Sequence, residues 1–126
     1  MANSSIMILN IVIFLLLISQ GYSFCTLKNL TVTQVKTGVI VKNKPEWSVS
    51  VTNTCPPPCV QRSVILKCPG FQTVEPVLPS ALVVSPMGTC LFNGGGPIAA
   101  HAVVSFKYAW DSALPLSPVS GLITCS

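Results

Sequence analysis

The segment from Glu46 to Val60, EWSVSVTNTCPPPCV, joins a strand pattern to two cysteines that are separated by three prolines. In its first half apolar and polar residues alternate, and a period of two is typical of a half-buried β-strand. The apolar positions are Trp47, Val49 and Val51. The pair Cys55 and Cys59 then allows three interpretations: a redox or metal motif, a small disulfide loop, or a rigid connector. The compartment in which the chain folds decides among them, because disulfides persist in oxidising surroundings.

Residues 1–23, MANSSIMILNIVIFLLLISQGYS, have the pattern of a secretory signal peptide. An apolar run extends from Ile6 to Ile18, and the small-x-small site Gly21-Tyr22-Ser23 follows it. No Lys or Arg precedes the run, so only the terminal amine supplies positive charge. An uncleaved membrane anchor needs about 20 apolar residues, which is more than this run contains. We therefore predict cleavage near Ser23 and Phe24, secretion, and no stable membrane insertion of the mature chain.

The mature part, residues 24–126, has the size of one domain with a thin core. Charged residues make up 8% of the full chain, against roughly 25% in an ordinary soluble domain, so part of the apolar surface is expected to face a partner. The net charge is +4, and basic residues cluster only between Lys36 and Lys44. This predicts a solvated basic surface, with attraction to acidic cell-wall polymers or an acidic receptor face as the alternative. Nucleic acid is not expected as a partner, because no basic helix or stripe is present.

Six cysteines in a short secreted chain predict three disulfides. They are Cys25, Cys55, Cys59, Cys68, Cys90 and Cys125. A zinc site is disfavoured because the chain has one histidine, His101, and no pair of Cys-x2-Cys knuckles. A redox motif is disfavoured because the spacing is Cys-x3-Cys and nothing around it resembles a thioredoxin-like unit. We therefore expect no metal and no cofactor.

The three prolines argue against a bond between Cys55 and Cys59. A polyproline run rises about 3.1 Å per residue and would place their Cα atoms roughly 12 Å apart, whereas a disulfide needs them within about 7 Å. Unless a cis proline folds the run back, each cysteine pairs elsewhere, which leaves most connectivities open. The same length approaches the roughly 10 Å between stacked sheets, so we predict a stiff crossover between two sheets.

An up-and-down order of the first three strands would place Cys25, Cys55 and Cys59 at one end of the domain and Cys68 at the other. That arrangement favours a bond between Cys68 and Cys90 over the other partners.

Strand patterns recur along the mature chain, and no segment shows sustained helical spacing. Two short candidates are interrupted by prolines, which fits edge strands or loops: Thr73 to Leu78 and Ala81 to Val84. The other predicted strands are Thr26 to Val35, Val60 to Lys67, His101 to Trp110 and Val119 to Thr124. We predict no helix of more than two turns and an all-β fold, a small antiparallel β-sandwich stapled by three disulfides.

No catalytic site is apparent in the sequence. The three acids, Glu46, Glu75 and Asp111, are dispersed, although folding could bring distant ones together. His101 begins an apolar strand without a nucleophile motif and is interpreted as a surface or strand-end residue. The glycine-rich run Asn93 to Pro97 lacks the Lys-Ser/Thr pair of a phosphate loop and is interpreted as a turn. We predict that the protein is not an enzyme.

Two further features point to surfaces. Phe106, Tyr108 and Trp110 share a strand face with apolar neighbours, which favours core packing; a sugar-stacking platform is the alternative. Asn29-Leu30-Thr31 is an N-glycosylation acceptor, although a strand position presents Asn29 poorly.

The order of the cysteines and the short sequence motifs between them resemble those of a known family. The matching segments are Cys25 to Gln34, Pro45 to Val49, Asn53 to Cys55, Cys59, Cys68 with Gly70-Phe71, Pro76, Cys90 to Pro97, Phe106 to Ala109, and Leu116 to Cys125. Together they resemble the plant tapetum determinant family of small secreted cysteine-rich proteins. This chain departs from the family at Met87-Gly88-Thr89, where acidic residues are usual, at Trp110, where Asn is common, and in its triple proline.

The resemblance implies an extracellular ligand in the apoplast. Founding members of the family act on a leucine-rich-repeat receptor kinase that controls anther cell fate, so a receptor-kinase ectodomain is the expected partner. The alternative is a cell-wall or carbohydrate-binding module with a polysaccharide partner. A defence protein has only small size, cysteines and positive charge in its favour. No individual partner-binding residue is assigned.

Overall fold

The computed structural model describes residues 25–126, so the predicted signal peptide and its cleavage site lie outside the described residues. Two antiparallel sheets face each other across a common apolar core, and three disulfides hold the chain. The prediction of an all-β sandwich is confirmed. No helix in the described part is long and apolar enough to cross a membrane.

Seven strands make up the sandwich, three in one sheet and four in the other. They are β1 (Leu30–Val41), β2 (Lys44–Asn53), β3 (Val60–Lys67), β4 (Leu82–Val84), β5 (Thr89–Phe92), β6 (Val103–Ala109) and β7 (Ser117–Thr124). One sheet has the order β1-β2-β6 and the other the order β4-β5-β3-β7. The two helical elements are single 3-10 turns, Leu27–Asn29 and Asn93–Gly95. Within the described residues, the prediction of no long helix is therefore confirmed.

The first strand differs from its predicted bounds at both ends. It begins at Leu30 because Thr26 and Asn29 form a capping box, in which the backbone N–H of Thr26 donates to Asn29 Oδ1 at 2.9 Å. It continues to Val41 because Lys42 and Asn43 form a two-residue hairpin turn, with φ angles of 48° and 68°. The β1–β2 hairpin is therefore much longer than the alternation of apolar residues indicated.

One strand was missed. Thr89–Phe92 forms β5, which no sequence pattern predicted. It is only four residues long, so its periodicity is too short to read, and pairing with β3 and β4 on both sides stabilises it. The turn that follows it is the 3-10 turn Asn93–Gly95, inside the predicted turn Asn93 to Pro97.

The core lies between the sheets. Val49 and Val51 of β2 face Val64 and Leu66 of β3, and all four are fully buried. A cluster of tilted aromatic rings fills one end, with ring centroids 5.2 Å apart for Phe71 and Tyr108, 6.0 Å for Phe92 and Phe106, and 6.4 Å for Phe106 and Tyr108. The phenol of Tyr108 donates to Gln34 and accepts from the backbone N–H of Leu114. Burial raises the pKa of this phenol, so it stays a neutral hydrogen-bonding group.

The crossover from β2 to β3 carries the chain from one sheet to the other, but its predicted extended form is wrong. The backbone N–H of Cys59 donates to the carbonyl of Pro56 at 3.0 Å, so the prolines make a turn. A buried N–H needs a partner, and Cys59 is buried. The Pro57–Pro58 peptide bond is cis. Cys55 and Cys59 nevertheless bond to different partners.

The side chain of Asn53 organises this crossover from inside the protein. Its Nδ2 group donates to the carbonyls of Ile98 and Cys59, at 2.9 and 3.3 Å. Its Oδ1 accepts from the backbone N–H of Cys55 at 3.0 Å and from Gln61 Nε2 at 3.3 Å. Asn53 and Gln61 are both fully buried. The network gives partners to both polar atoms of the Asn53 side chain and to Gln61 Nε2, while Gln61 Oε1 has none.

Two disulfides join the ends of the chain to the crossover, and the third joins the end of β3 to β5. Cys25 is bonded to Cys55 and Cys59 to Cys125, so both termini of the described chain attach to the proline segment. Cys68 is bonded to Cys90, 22 residues along the chain. Each bridge is expected to stabilise the domain by about 2–4 kcal/mol.

Mapping of the unreduced protein tests this connectivity. Trypsin cuts after Lys67 and Lys107, which places Cys68 and Cys90 on one peptide, 68–107. We expect that peptide to be released alone, with an internal bridge. We expect the other four cysteines in a cluster of three linked peptides, because 43–62 carries both Cys55 and Cys59. A link between peptide 68–107 and any other peptide would contradict the structure.

Removal of the Asn53 side chain tests the buried network. Asn53→Ala is expected to lower the free energy of unfolding by about 2 kcal/mol or more, because each buried group left without a partner costs about 1–3 kcal/mol. Guanidinium unfolding with the disulfides intact measures the change. Thr52→Ala, at the adjacent half-buried position, is the control and should cost less than about 1 kcal/mol. Equal losses in the two variants would show that Asn53 has no special role.

Candidate functional site

Folding brings together two of the three acids that are dispersed in the sequence. The carboxyl of Glu46 on β2 lies beside that of Glu75, which belongs to the connection between β3 and β4, residues 68–81. Ala109 pairs with Glu46 across the sheet and is hydrogen-bonded to Thr73 and Val74, which directly precede Glu75. The hydroxyl of Thr37 on β1 donates to Glu46 Oε1 at 2.7 Å. Glu46 is 6% exposed, and Glu75 Oε2 is buried with no N–H or O–H donor of another residue within reach. We call Glu46 and Glu75 the carboxyl pair.

The pKa values of the carboxyl pair diverge because two carboxylates in contact cannot both be ionised without repulsion. The hydrogen bond to Glu46, with burial and the charge of Glu46 in support, raises the pKa of Glu75 to about 7. The hydrogen bonds from Glu75 and Thr37 lower the pKa of Glu46. The pair therefore shares one proton over a wide pH range, and its two titrations are coupled.

This geometry does not suit glycoside hydrolysis. A retaining glycosidase separates its two carboxyls by about 5–5.5 Å, and an inverting enzyme by more, so that a glycosidic bond and water fit between them. Carboxyls in direct hydrogen-bonding contact leave no such space. The carboxyl pair therefore connects two segments of the chain, β2 and the β3–β4 connection.

A groove of about 490 Å³ lies beside the carboxyl pair on the outer face of the three-stranded sheet. The hydroxyls of Ser48 and Ser105 and the side chain of Lys107 belong to its sheet side. Its other wall is the β3–β4 connection, with Glu75, Pro76, Val77, Leu78 and Ala81. The groove is thus mainly apolar, and the groups in it that carry charge are Glu75 and Lys107.

The far end of the β1–β2 hairpin is an exposed surface that combines apolar and basic side chains. We call residues 35–44 the hairpin end. Val35, Val39 and Ile40 are 61%, 50% and 64% exposed. A bulge between Lys36 and Ile40, with Gly38 at a φ of 90°, alters the course of the strand at this point. Packing in the core therefore does not account for the presence of these aliphatic side chains.

The lysines of the hairpin end are held near indole rings. Lys36 Nζ lies 5.5 Å from the ring centroid of Trp47, and Lys44 Nζ lies 5.2 Å from that of Trp110. Lys44 also pairs with Asp111 at 2.7 Å. Lys42 is exposed in the hairpin turn. The three lysines that the sequence showed between Lys36 and Lys44 thus all belong to the hairpin end, and two of them lie over indole rings.

The aromatic face of β6 is not a sugar-stacking platform. Phe106 is 6% exposed, Tyr108 is fully buried, and Trp110 packs against the core beneath Lys44. The prediction of core packing is confirmed, and the carbohydrate interpretation loses the flat exposed rings that motivated it.

The remaining predicted positions are scattered over the surface. His101 is exposed in the turn before β6, with a φ of 63°. Asn29 lies in the first 3-10 turn, and its Nδ2 group donates to Thr54 Oγ1 at 3.3 Å. Glycosylation of Asn29 remains a prediction. Asn93 to Pro97 contains the second 3-10 turn, as the sequence indicated.

The sulfurs of Cys25, Cys59 and Cys125 lie within 4.8 Å of one another, at a spacing that could suit a metal ion. All three belong to disulfides. Zinc and related ions bind thiolates, which these sulfurs do not provide in the oxidised protein. The cluster is therefore the junction of two bridges.

Sequence reasoning found the basic cluster but missed the carboxyl pair and the groove. Glu46 and Glu75 are 29 positions apart, and no local pattern reports their contact. Glu46 belongs to the polar face of a strand, and because it is buried, another segment of chain must cover that face. The sequence does not say which segment covers it.

Comparison with known proteins agrees with the cysteine framework. Residues 26–126 match the family described as "Tapetum determinant 1, C-terminal". A relative from Oryza sativa subsp. japonica, "TPD1 protein homolog 1B", is 31% identical over 93 residues, which are 74% of this chain and 54% of the relative. "TPD1 protein homolog 1" of Arabidopsis thaliana is 27% identical over 96 residues, 76% of this chain and 54% of the relative.

This chain thus spans about half the length of the curated relatives it matches. No solved structure matches it significantly. The family match extends over the whole sandwich, from the residue after Cys25 to the C-terminal Ser126. The chain therefore belongs to the tapetum determinant family.

Proposed function

We propose that the protein is a secreted, non-enzymatic ligand that binds the leucine-rich-repeat ectodomain of a plant receptor kinase in the apoplast. Its membership of the tapetum determinant family supports this proposal. The three disulfides support an extracellular location, because such bridges persist outside the reducing cytosol. A role in anther or other cell-fate signalling is the biological form that the family suggests.

The observation that carries the proposal is the hairpin end. Val35, Val39 and Ile40 expose aliphatic surface that the core does not use, and three lysines belong to the same hairpin end. Interfaces commonly bury an apolar centre inside a polar rim. The charge of this rim fits an acidic face on the receptor, since both acids near it are already engaged: Glu46 in the carboxyl pair and Asp111 with Lys44.

A protein face explains the hairpin end better than a polysaccharide does. An acidic cell-wall polymer would use the lysines but would leave the aliphatic side chains in water. The rings that could have stacked on sugars are in the core. The polysaccharide alternative therefore rests on charge alone.

Binding of the mature chain, residues 24–126, to a panel of leucine-rich-repeat ectodomains tests the proposal. We expect at least one ectodomain to bind in biolayer interferometry, and polygalacturonate to bind weakly and to be released by salt. Tight, salt-resistant binding to polygalacturonate with no ectodomain bound would favour the cell-wall module instead.

Substitution of Ile40 tests the hairpin end. Ile40→Asp should weaken ectodomain binding at least tenfold, about 1.4 kcal/mol, because it places a charge in the apolar centre opposite an acidic face. Leu122→Asp is the matched control: Leu122 is 57% exposed on β7 of the other sheet, and its substitution should change the affinity less than twofold. Equal effects of the two variants would assign binding to another surface.

A further inference from the structure

The carboxyl pair joins segments that are far apart in the chain. Glu46 lies on the central strand of the three-stranded sheet, and Glu75 lies on the β3–β4 connection. Upstream of Glu75 the connection follows the edge of β6: the backbone N–H of Val74 donates to the carbonyl of Ala109 at 3.0 Å, and that of Ala109 donates to Thr73 Oγ1 at 3.0 Å. Glu75 is therefore the point where the connection reaches from the edge strand toward the central strand.

Beyond Glu75 the connection leaves the edge of β6 and forms a wall of the groove. Pro76, Val77 and Leu78 face the groove, and Leu78 is 72% exposed. The backbone hydrogen bonds of this part are local, from the N–H groups of Ala81 and Leu82 to the carbonyl of Leu78. Val77 also packs against the apolar core, and the polar attachment of this part of the wall to the sheet is the Glu75 carboxyl.

A hydrogen bond between two carboxyl groups requires a proton, because an ionised carboxylate only accepts. Thr37 already donates to Glu46, and the buried Oε2 of Glu75 has no donor of another residue within reach. A proton on Glu75, donated to Glu46, satisfies both groups. Without that proton, two negative charges meet at a buried contact, where repulsion is strong.

We propose that Glu46 and Glu75 form a proton-dependent latch, which holds the β3–β4 connection against the sheet when the pair is singly protonated and releases residues 75–78 when that proton is lost. Release would widen the groove and uncover apolar surface next to Lys107. The latch does not depend on the identity of any partner. It would make the exposed surface of the protein respond to extracellular pH.

The charged and titratable groups around the latch come from three elements. Glu46 comes from β2, Glu75 from the connection and Lys107 from β6, and Lys107 favours the ionised form of both acids. The neighbour from β1, Thr37, is neutral. The third acid, Asp111, is paired with Lys44. Loss of the shared proton is therefore opposed mainly by repulsion between the two carboxylates. The charge of Lys107 assists it.

The direction of the pH effect follows from the two pKa values. Glu75 has its pKa raised from 4.5 to about 7, so the stability it contributes is full below pH 4.5 and is lost as the pH rises to about 7. Glu46 has its pKa lowered, so its contribution is present above its ordinary range and is lost in stronger acid. The latch is closed in mildly acidic solution and opens through neutral pH.

Carbon-13 labelling of glutamate makes the pair directly visible, since Glu46 and Glu75 are the two glutamates of the chain. In an NMR titration we expect one carboxyl carbon to change near pH 7 and the other below the usual range of a glutamate. In Glu46→Gln the midpoint of Glu75 should fall by at least one pH unit, because the repelling charge is gone. Two independent midpoints near the ordinary value would overturn the proposal.

Amide hydrogen exchange tests whether proton loss releases the chain. After correction for intrinsic rates, protection of the Glu75 amide, whose N–H donates to Thr73 Oγ1 at 3.1 Å, should fall about tenfold between pH 5 and pH 6. Below the midpoint each pH unit raises the ionised fraction of Glu75, and with it the released fraction, about tenfold. Glu75→Gln keeps an N–H donor for Glu46 but does not titrate, so it should keep its protection across that range.

The control is Asp111→Asn, which removes the third acid and should leave the wild-type response unchanged. If the carboxyls titrate as expected but protection of the Glu75 amide stays constant, the pair is a static contact and the latch is wrong. The same conclusion follows if Glu75→Gln responds to pH as the wild type does.

Discussion

The carboxamide of Asn53 is the interaction on which the rest of the sandwich depends. It lies where β2 ends and the crossover begins, and its donors and acceptor serve four groups from the crossover, β3 and the segment before β6. Because it is fully buried, each of these hydrogen bonds replaces one to water that folding has removed. Both disulfides that secure the chain ends leave from this region, so their positions follow from the turn that Asn53 supports.

A small charge-poor protein needs such internal constraints. Its core is thin, and the described residues make one ion pair, between Lys44 and Asp111. The bridges restrict the unfolded chain, while the buried amides select one arrangement of the folded chain. Stability thus comes from the interior and the disulfides, which leaves the hairpin end free to carry aliphatic and basic side chains that packing does not require.

Scarcity of charge also makes the carboxyl pair informative. In a chain with three acids, contact between two of them is not a by-product of a crowded acidic surface. A buried carboxyl beside another is costly unless a proton is shared, so the contact couples a segment of the fold to pH. Glu46 of the pair lies on the same hairpin as the hairpin end, and Thr37 of the hairpin end donates to it. A change at the pair is therefore adjacent to the surface proposed for binding.

The alternation in Glu46 to Thr52, the cysteine count and the proline-rich turns were sufficient to predict an all-β disulfide-linked sandwich, because periodicity and compartment are local properties of a chain. The same local information predicted that Phe106 and Tyr108 pack in the core, and the structure confirms it. It failed for β5, which is too short to show a period and forms because two neighbouring strands pair with it.

Tertiary structure decided what no local pattern contains: that the prolines turn around a buried Asn53, that Glu75 covers Glu46, and that three lysines and three aliphatic residues form one exposed end. These features depend on contacts between residues far apart in the chain, and such contacts exist only once the two sheets have packed.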